Sequence, residues 1–158
     1  MRSLSKLFII ILSVLIVNSC SEELNPTPYT YTKIFTGENN KTWKIKLFEE
    51  TLEGEIIDKL LPTCVSDDKF IFYANSEHSF DAVSGSKKCA EDEPDVTTNT
   101  WSFSNATATL TMVLPILSDN ALPYIVREAD AGDMEVEIFF DETNTASYRI
   151  HFEAIDEE

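Results

Sequence analysis

The sequence predicts an all-β protein, an antiparallel up-and-down eight-stranded β-barrel with a short helix or turn after the first strand. Three observations carry this. Apolar and polar residues alternate with a period of two in one run after another between Thr42 and Phe152, which is the signature of half-buried strands. The runs are short and joined by turn residues, so nearly every connection is local. Two cysteines, Cys64 and Cys89, bracket a pair of these runs and staple them as a meander. Strands that follow one another up and down close naturally into a barrel, because closure removes exposed edges.

Each element follows from its own residues. From Thr42 to Phe48, Trp43, Ile45 and Leu47 share one face opposite lysines. Glu49 to Leu61 reads as a turn and short helix: Gly54 argues against one uninterrupted helix, while Ile56, Ile57, Leu60 and Leu61 fall at helical spacing. Lys69 to Tyr73 and His78 to Val83 are strands joined by a turn through Ala74 to Glu77. An acidic, proline-broken loop, Ala90 to Asp95, leads to Thr98 to Ser104, where Trp101 and Phe103 share a face. Asn105-Ala106 suits a hairpin into Thr107 to Leu114, whose Leu110, Met112 and Leu114 oppose threonines. After a turn at Asp119-Asn120 come Pro123 to Arg127, a turn at Asp130 to Asp133, and Met134 to Phe140. Asp141 to Asn144 then turns the chain into Ala146 to Phe152, and Asp156 to Glu158 is left as an acidic tail.

Residues 1–19 stand apart as a targeting segment. Arg2 and Lys6 precede an apolar run from Leu7 to Val17, too short for a transmembrane helix and suited to a secretory signal. The run ends in Val17-Asn18-Ser19-Cys20, which resembles a bacterial lipobox and implies that Cys20 is lipidated and becomes the mature N-terminus. Of the three cysteines, that leaves Cys64 and Cys89 to form a disulfide in an oxidising compartment. Closing that loop constrains the unfolded chain by about 3–4 kcal/mol. Residues 20–32, rich in Pro and Thr, read as a lipidated N-terminus and extended tether. Residues 33–158 form the barrel domain. Ser21-Glu22-Glu23 directly after Cys20 resembles the export signal of Bacteroidota surface lipoproteins.

The formal charge is −16, and it grows more negative when Arg2 and Lys6 leave with the signal. Phosphate backbones require clustered Lys and Arg, so no nucleic-acid partner is expected. Anionic membrane surfaces are repelled too, which leaves the lipid at Cys20 as the means of holding the membrane.

A Trp-bearing first strand (Trp43), then Cys-x-x-Asp-Asp-x-Phe-x-Phe (Cys64, Asp67, Asp68, Phe70, Phe72), Cys89, Thr100-Trp101-Ser102-Phe103 and Leu110-Thr111 together resemble the lipocalin-like lipoproteins of Bacteroidota. The likeness covers about Lys41 to Phe152. It implies a lipocalin-like barrel on a lipid anchor, with an interior pocket and no named activity. Lipocalins usually carry glycine two positions before the first-strand Trp, where this chain has Lys41.

No catalytic group, cofactor or metal site is expected. Four glycines cannot build a phosphate-cradling loop, and with both remaining cysteines in a disulfide no free thiol is left. His78 and His151 lie on different strands without ligand spacing and read as surface or satisfied histidines. Asp67-Asp68 reads as a turn pair satisfying backbone donors. Glu91, Asp92, Glu93 and Asp95 lack the spacing of a Ca²⁺ loop and read as solvated.

The aromatic residues remain. Trp43, Phe70, Phe72, Trp101, Phe103, Phe140, Tyr148 and Phe152 recur at strand spacing and are expected to face inward, either filling the core or lining a cavity for one small ligand. Phe139 and Ile125 fall on the opposite face. The expected function is that of a cell-surface outer-membrane lipoprotein, not an enzyme, binding a small apolar or amphipathic ligand in its barrel. The alternative is an accessory module that binds a protein or glycan through its loops.

Overall fold

A computed structural model describes residues 28–155, with side chains from Tyr31 onward. The signal segment, Cys20 and its expected lipid, the tether as far as Thr27, and Asp156 to Glu158 lie outside the described residues. The elements in chain order are α1 (Pro28–Thr36), β1 (Asn40–Leu52), β2 (Glu55–Lys59), a 3-10 turn (Thr63–Val65), β3 (Lys69–Tyr73), β4 (Ser79–Val83), β5 (Val96–Thr100), β6 (Ser102–Ser104), β7 (Thr109–Leu114), β8 (Ser118–Ala129), β9 (Asp133–Phe139) and β10 (Ala146–Ile155).

All ladders are antiparallel, in the order β5-β4-β3-β1-β10-β9-β8-β7-β6, with β2 paired only to the far half of β1. Only Trp101 separates β5 from β6, so the two ends of this order are consecutive pieces of one chain and the sheet returns on itself. Counting β5 and β6 together gives the eight-stranded, up-and-down ring that alternation predicts. The ring is nearly closed. β6 pairs with β7 from Ser102↔Thr111 to Ser104↔Thr109, whereas β5 pairs with β4 and forms no ladder with β7, so the wall parts beyond Trp101.

The interior is apolar and predominantly aromatic: Trp43, Phe70, Phe72, Phe80, Trp101, Leu110, Met112, Tyr124, Met134, Val136, Ile150 and Phe152 are all buried. Alternation changes phase once on β1. A bulge between Ile45 and Leu47 puts an extra residue into the strand, so Phe48 rather than Leu47 continues the inward face. Phe140 departs from the expected inward position. It keeps the phase of Met134 and Val136 but lies past the end of β9, where it is 50% exposed and rests against Tyr148 at 4.5 Å.

The stretch after the first strand resolves into three pieces. β1 runs on to Leu52, and Glu53 and Gly54, both at positive φ (53° and 86°), turn the chain in two residues into β2. Such a pair of left-handed residues matches the twist of the flanking strands. No helix forms within Glu49 to Leu61, because Ile56 and Ile57 belong to β2; the short helix comes just after it, as the 3-10 turn at Thr63–Val65. Ile56 and Ile57 consequently stand half-exposed on β2, while Leu60 and Leu61 pack against the core. The turn expected at Asp119-Asn120 comes earlier, with the Leu117 N–H donating to the Leu114 carbonyl at 2.8 Å, and β8 already begins at Ser118.

The segment expected as extended tether is helical from Pro28. Proline suits the first turn of a helix, and Gly37 at φ 60° ends this one, its N–H donating to the Lys33 carbonyl at 2.8 Å. Little in Pro28–Thr36 favours a helix in isolation; its packing does. Phe35 is fully buried, with ring centroids 5.1 Å from Phe103, 5.9 Å from Trp101 and 6.5 Å from Phe72. The Trp43 indole Nε1–H donates to the Phe35 carbonyl at 2.9 Å. Lys41, where lipocalins have glycine, lies over the Trp43 ring at 4.7 Å and donates to the carbonyls of Ile34 (3.1 Å) and Ala131 (2.5 Å). It ties the helix end to the β8–β9 turn. Helix α1 therefore closes one end of the barrel.

Phe35→Ala is expected to lower the unfolding free energy by about 3–5 kcal/mol, read from the denaturant midpoint. Hydrogen exchange would show loss of protection centred on α1 and the β3–β4 turn, with the β9–β10 ladder retained.

Candidate functional site

Cysteine pairing shapes the opposite end. Cys64 and Cys89 form the expected disulfide, with a Cα separation of 5.1 Å, and join the 3-10 turn to the long β4–β5 connection. Asp67 and Asp68 hold that connection from beneath, as the turn reading expects. Asp68 Oδ1 accepts the Gly85 N–H at 2.8 Å; Asp67 Oδ2 accepts the Ser86 N–H at 2.9 Å and its hydroxyl at 2.8 Å. A Cβ at residue 85 would lie 2.3 Å from the Asp67 Cγ, so only glycine permits the carboxylate to close over the backbone. The acidic loop is also tied down. Glu93 Oε2 accepts the N–H of Cys89 at 2.6 Å and of Ala90 at 3.3 Å, and Lys88 pairs with Asp95 at 2.8 Å.

Between these loops and the parted wall lies a cavity of about 530 Å³. Val65, Phe70 and Ala82 form its apolar floor. Thr97 and Asn99 of β5 line one side and Val113, Pro115 and Ile116 the other, which is where β5 and β7 fail to pair. Asp68, Glu93 and Asp119 supply its ionisable groups. The volume falls in the range of small-molecule sites, and the lining has their usual make-up of apolar surface with a few convergent polar groups.

Two polar groups in the cavity carry a cost in the folded protein. The Asn99 Nδ2 is shielded from solvent without a hydrogen-bond partner, a situation worth roughly 1–3 kcal/mol against folding. Burial pushes the Asp68 carboxyl above the ordinary carboxylate range, opposed by the Gly85 N–H, and the nearby Glu93 and Asp67 add to the rise. Asp67 and Glu93 themselves lie below that range, held there first by the hydroxyls of Ser86 and Ser84 respectively.

Of the aromatics expected to line a cavity, only Phe70 does so. Trp43, Phe72 and Trp101 are buried around Phe35, with Phe103 partly buried beside them. Phe152 packs edge-on against Phe70 at 5.7 Å, and Tyr148 packs on Phe48 at 5.3 Å. The structure therefore separates the set, putting most of it in the packed half of the barrel. The lining residues that periodicity did not single out are small or polar ones at strand positions, chiefly Ala82, Thr97 and Asn99. For Thr97 and Asn99 the signal was the run Val96-Thr97-Thr98-Asn99-Thr100, which carries no aromatic side chain on either face.

A second polar cluster sits on the outer wall across β1, β10, β9 and β8. Glu137, 3% exposed, accepts from the Ser147 hydroxyl (2.5 Å) and from Arg127 Nε (2.5 Å), with Arg149 Nη2 at 3.6 Å. His151 lies between Glu49 and Glu135, 3.5 Å from each. His78 is exposed at the other end, its ring tilted against Trp101 with centroids 4.9 Å apart. Burial pushes the Glu137 carboxyl up, but the Ser147 hydroxyl and the arginines more than offset it and hold it below the ordinary range. The cluster is a ladder of paired charges in which Arg149 Nε and His151 Nε2 are shielded without a hydrogen-bond partner. Among the described residues no three His, Cys, Asp or Glu side chains are placed to hold a metal ion.

No protein-family model matches the chain, and no curated protein matches it. The chemistry of the cavity carries the functional reading.

The two carboxylates predict opposite pH behaviour. Glu137 has a folded pKa below its unfolded value of 4.5, so its contribution is complete only above that value and is lost as pH falls from it through the lower folded value. Glu137→Gln is expected to cost on the order of 1–3 kcal/mol at neutral pH and to flatten the acid limb of stability. Asp68 has a raised folded pKa, so its charged form opposes folding at neutral pH and protonation relieves this. Asp68→Asn keeps the acceptor for Gly85 and is expected to be at least as stable as the parent at pH 7 in urea titrations. A clear loss there would make the carboxylate structural.

Proposed function

We propose that this chain is a non-enzymatic, lipocalin-like lipoprotein, held by a lipid on Cys20 at the outer-membrane surface of a bacterium, whose barrel mouth captures a small apolar or amphipathic molecule. The observation that carries the reading is the cavity of about 530 Å³ at the parted wall, with its apolar floor and unpartnered Asn99 amide. The family likeness and the lipobox resemblance support the barrel's setting. No cofactor, metal or catalytic step is assigned.

A second reading, an accessory surface that binds a protein or glycan, has one specific observation in its favour. Leu52, Ile56, Ile57 and Phe140, all about half-exposed, cluster around the ends of β1, β2 and β9 at the mouth. Exposed apolar groups gathered in one place mark contact surfaces more often than scattered ones do.

Binding of the neutral fluorophore N-phenyl-1-naphthylamine to the full chain carrying Cys20→Ser, so that no attached lipid competes, tests the capture reading. Saturable binding is expected, weakened about tenfold or more by Ala82→Phe, which fills the floor, and by Ile116→Trp at the lip. Binding that both substitutions leave unchanged would place the probe elsewhere and favour the rim.

A further inference from the structure

We propose that the mouth cavity selects cationic amphipaths, an apolar chain ending in an ammonium group, over anionic ones of the same length. The inference rests on the ligand-capture reading and names the ligand class of that site.

Its basis is the sign of every ionisable group the cavity presents. Asp68, Glu93 and Asp119 line it, and no Lys, Arg or His does. Of the basic residues nearby, Lys88 is close enough to act on both Asp68 and Glu93 but donates to the Asp95 carboxylate and the Pro94 carbonyl, and Lys87 donates to the Ser66 hydroxyl. Arg127 and Arg149 are both bound into the outer-wall ladder around Glu137. A fatty-acid carboxylate entering the mouth would meet like charge, with no guanidinium or ammonium among the lining groups to receive it.

An ammonium group meets the reverse. Asp68 uses Oδ1 for the Gly85 N–H, which leaves Oδ2 to accept from a ligand at the edge of the Phe70 and Ala82 floor. Glu93 and Asp119 add negative charge around it. An alkyl chain on Val65, Phe70, Ala82 and Ile116 then places its head among these carboxylates, so the two ends of the ligand find the two kinds of surface the cavity has. The large negative charge of the chain further favours approach of a cation.

Competition against the same fluorophore, on the full Cys20→Ser chain at about pH 7 and below micelle formation, would compare dodecylammonium, dodecanol and dodecanoate. Dodecylammonium is expected to displace the probe at concentrations at least about tenfold below dodecanoate, with dodecanol between them. Asp68→Asn with Asp119→Asn is expected to narrow the gap between the two ions to about threefold or less. Asp119→Asn alone, at an exposed position, would move it part of the way.

Equal or tighter binding of dodecanoate overturns the proposal. So does a preference that the double substitution leaves intact, since overall charge would then be its cause. If dodecanol binds and the ions are not distinguished, charge selection fails while capture stands. If none of the three binds, both fall together.

Discussion

An eight-stranded ring has two open ends, and the contact that decides the character of this one is Phe35 seated inside the end framed by Trp43, Phe72 and Trp101. The Trp43 indole donating to the Phe35 carbonyl fixes the helix where its side chain can enter the barrel. Once that end is filled by rings at 5 to 6.5 Å from one another, the barrel interior there is packed, and the space of about 520 Å³ at this end lies outside it, between α1 and the β3–β4 turn. A cavity that reaches the barrel's apolar interior lies toward the loops that carry the disulfide. Closure at one end is thus the condition for a site at the other.

The two ends are held by different forces for a physical reason. The helix end is stabilised by aromatic burial, which is non-directional and tolerates little empty space. The mouth has fewer large apolar side chains to bury, and its loops are organised by a covalent bond and by carboxylates accepting backbone N–H groups: Asp67 and Asp68 on Gly85-Ser86, Glu93 on Cys89-Ala90. Such loops keep their shape without filling the space between them. A cavity persists at the mouth because its surroundings do not depend on packing to stay folded.

How much of this was legible follows the same division. Strands, turns and the disulfide were readable because a period of two, turn residues and cysteine count are local properties of the sequence. Helix α1 was not, since Pro28-Tyr29-Thr30-Tyr31-Thr32 has weak helical preference and folds on the barrel end it covers. The bulge at Lys46, which exchanges Leu47 for Phe48 on the inner face, needs the partner strand β10 to be seen. Phe140 keeps the phase of an inward residue, yet the strand ends before it. Of the two roles open to the inward aromatics, filling prevails for a more general reason. Large aromatic residues facing inward occupy the volume they are expected to surround, so in a small barrel they mark the filled half. A cavity is marked by short side chains at inward positions, here Ala82, Thr97 and Asn99.

Charge placement completes the contrast between wall and mouth. On the outer wall, the buried carboxylate of Glu137 is met by Ser147 and by both arginines of the described residues, so its negative charge is stabilising there. At the mouth, Asp68 is desolvated beside Glu93 and Asp67, with one backbone N–H as its principal support. Stability alone would favour an uncharged residue at that position, because an amide accepts from Gly85 equally well without the burial of charge. Asp68 is thus a carboxylate kept at a cost to the fold, with one oxygen on the Gly85 N–H and its side chain lining the mouth cavity, and that cost is what the proposed function would account for.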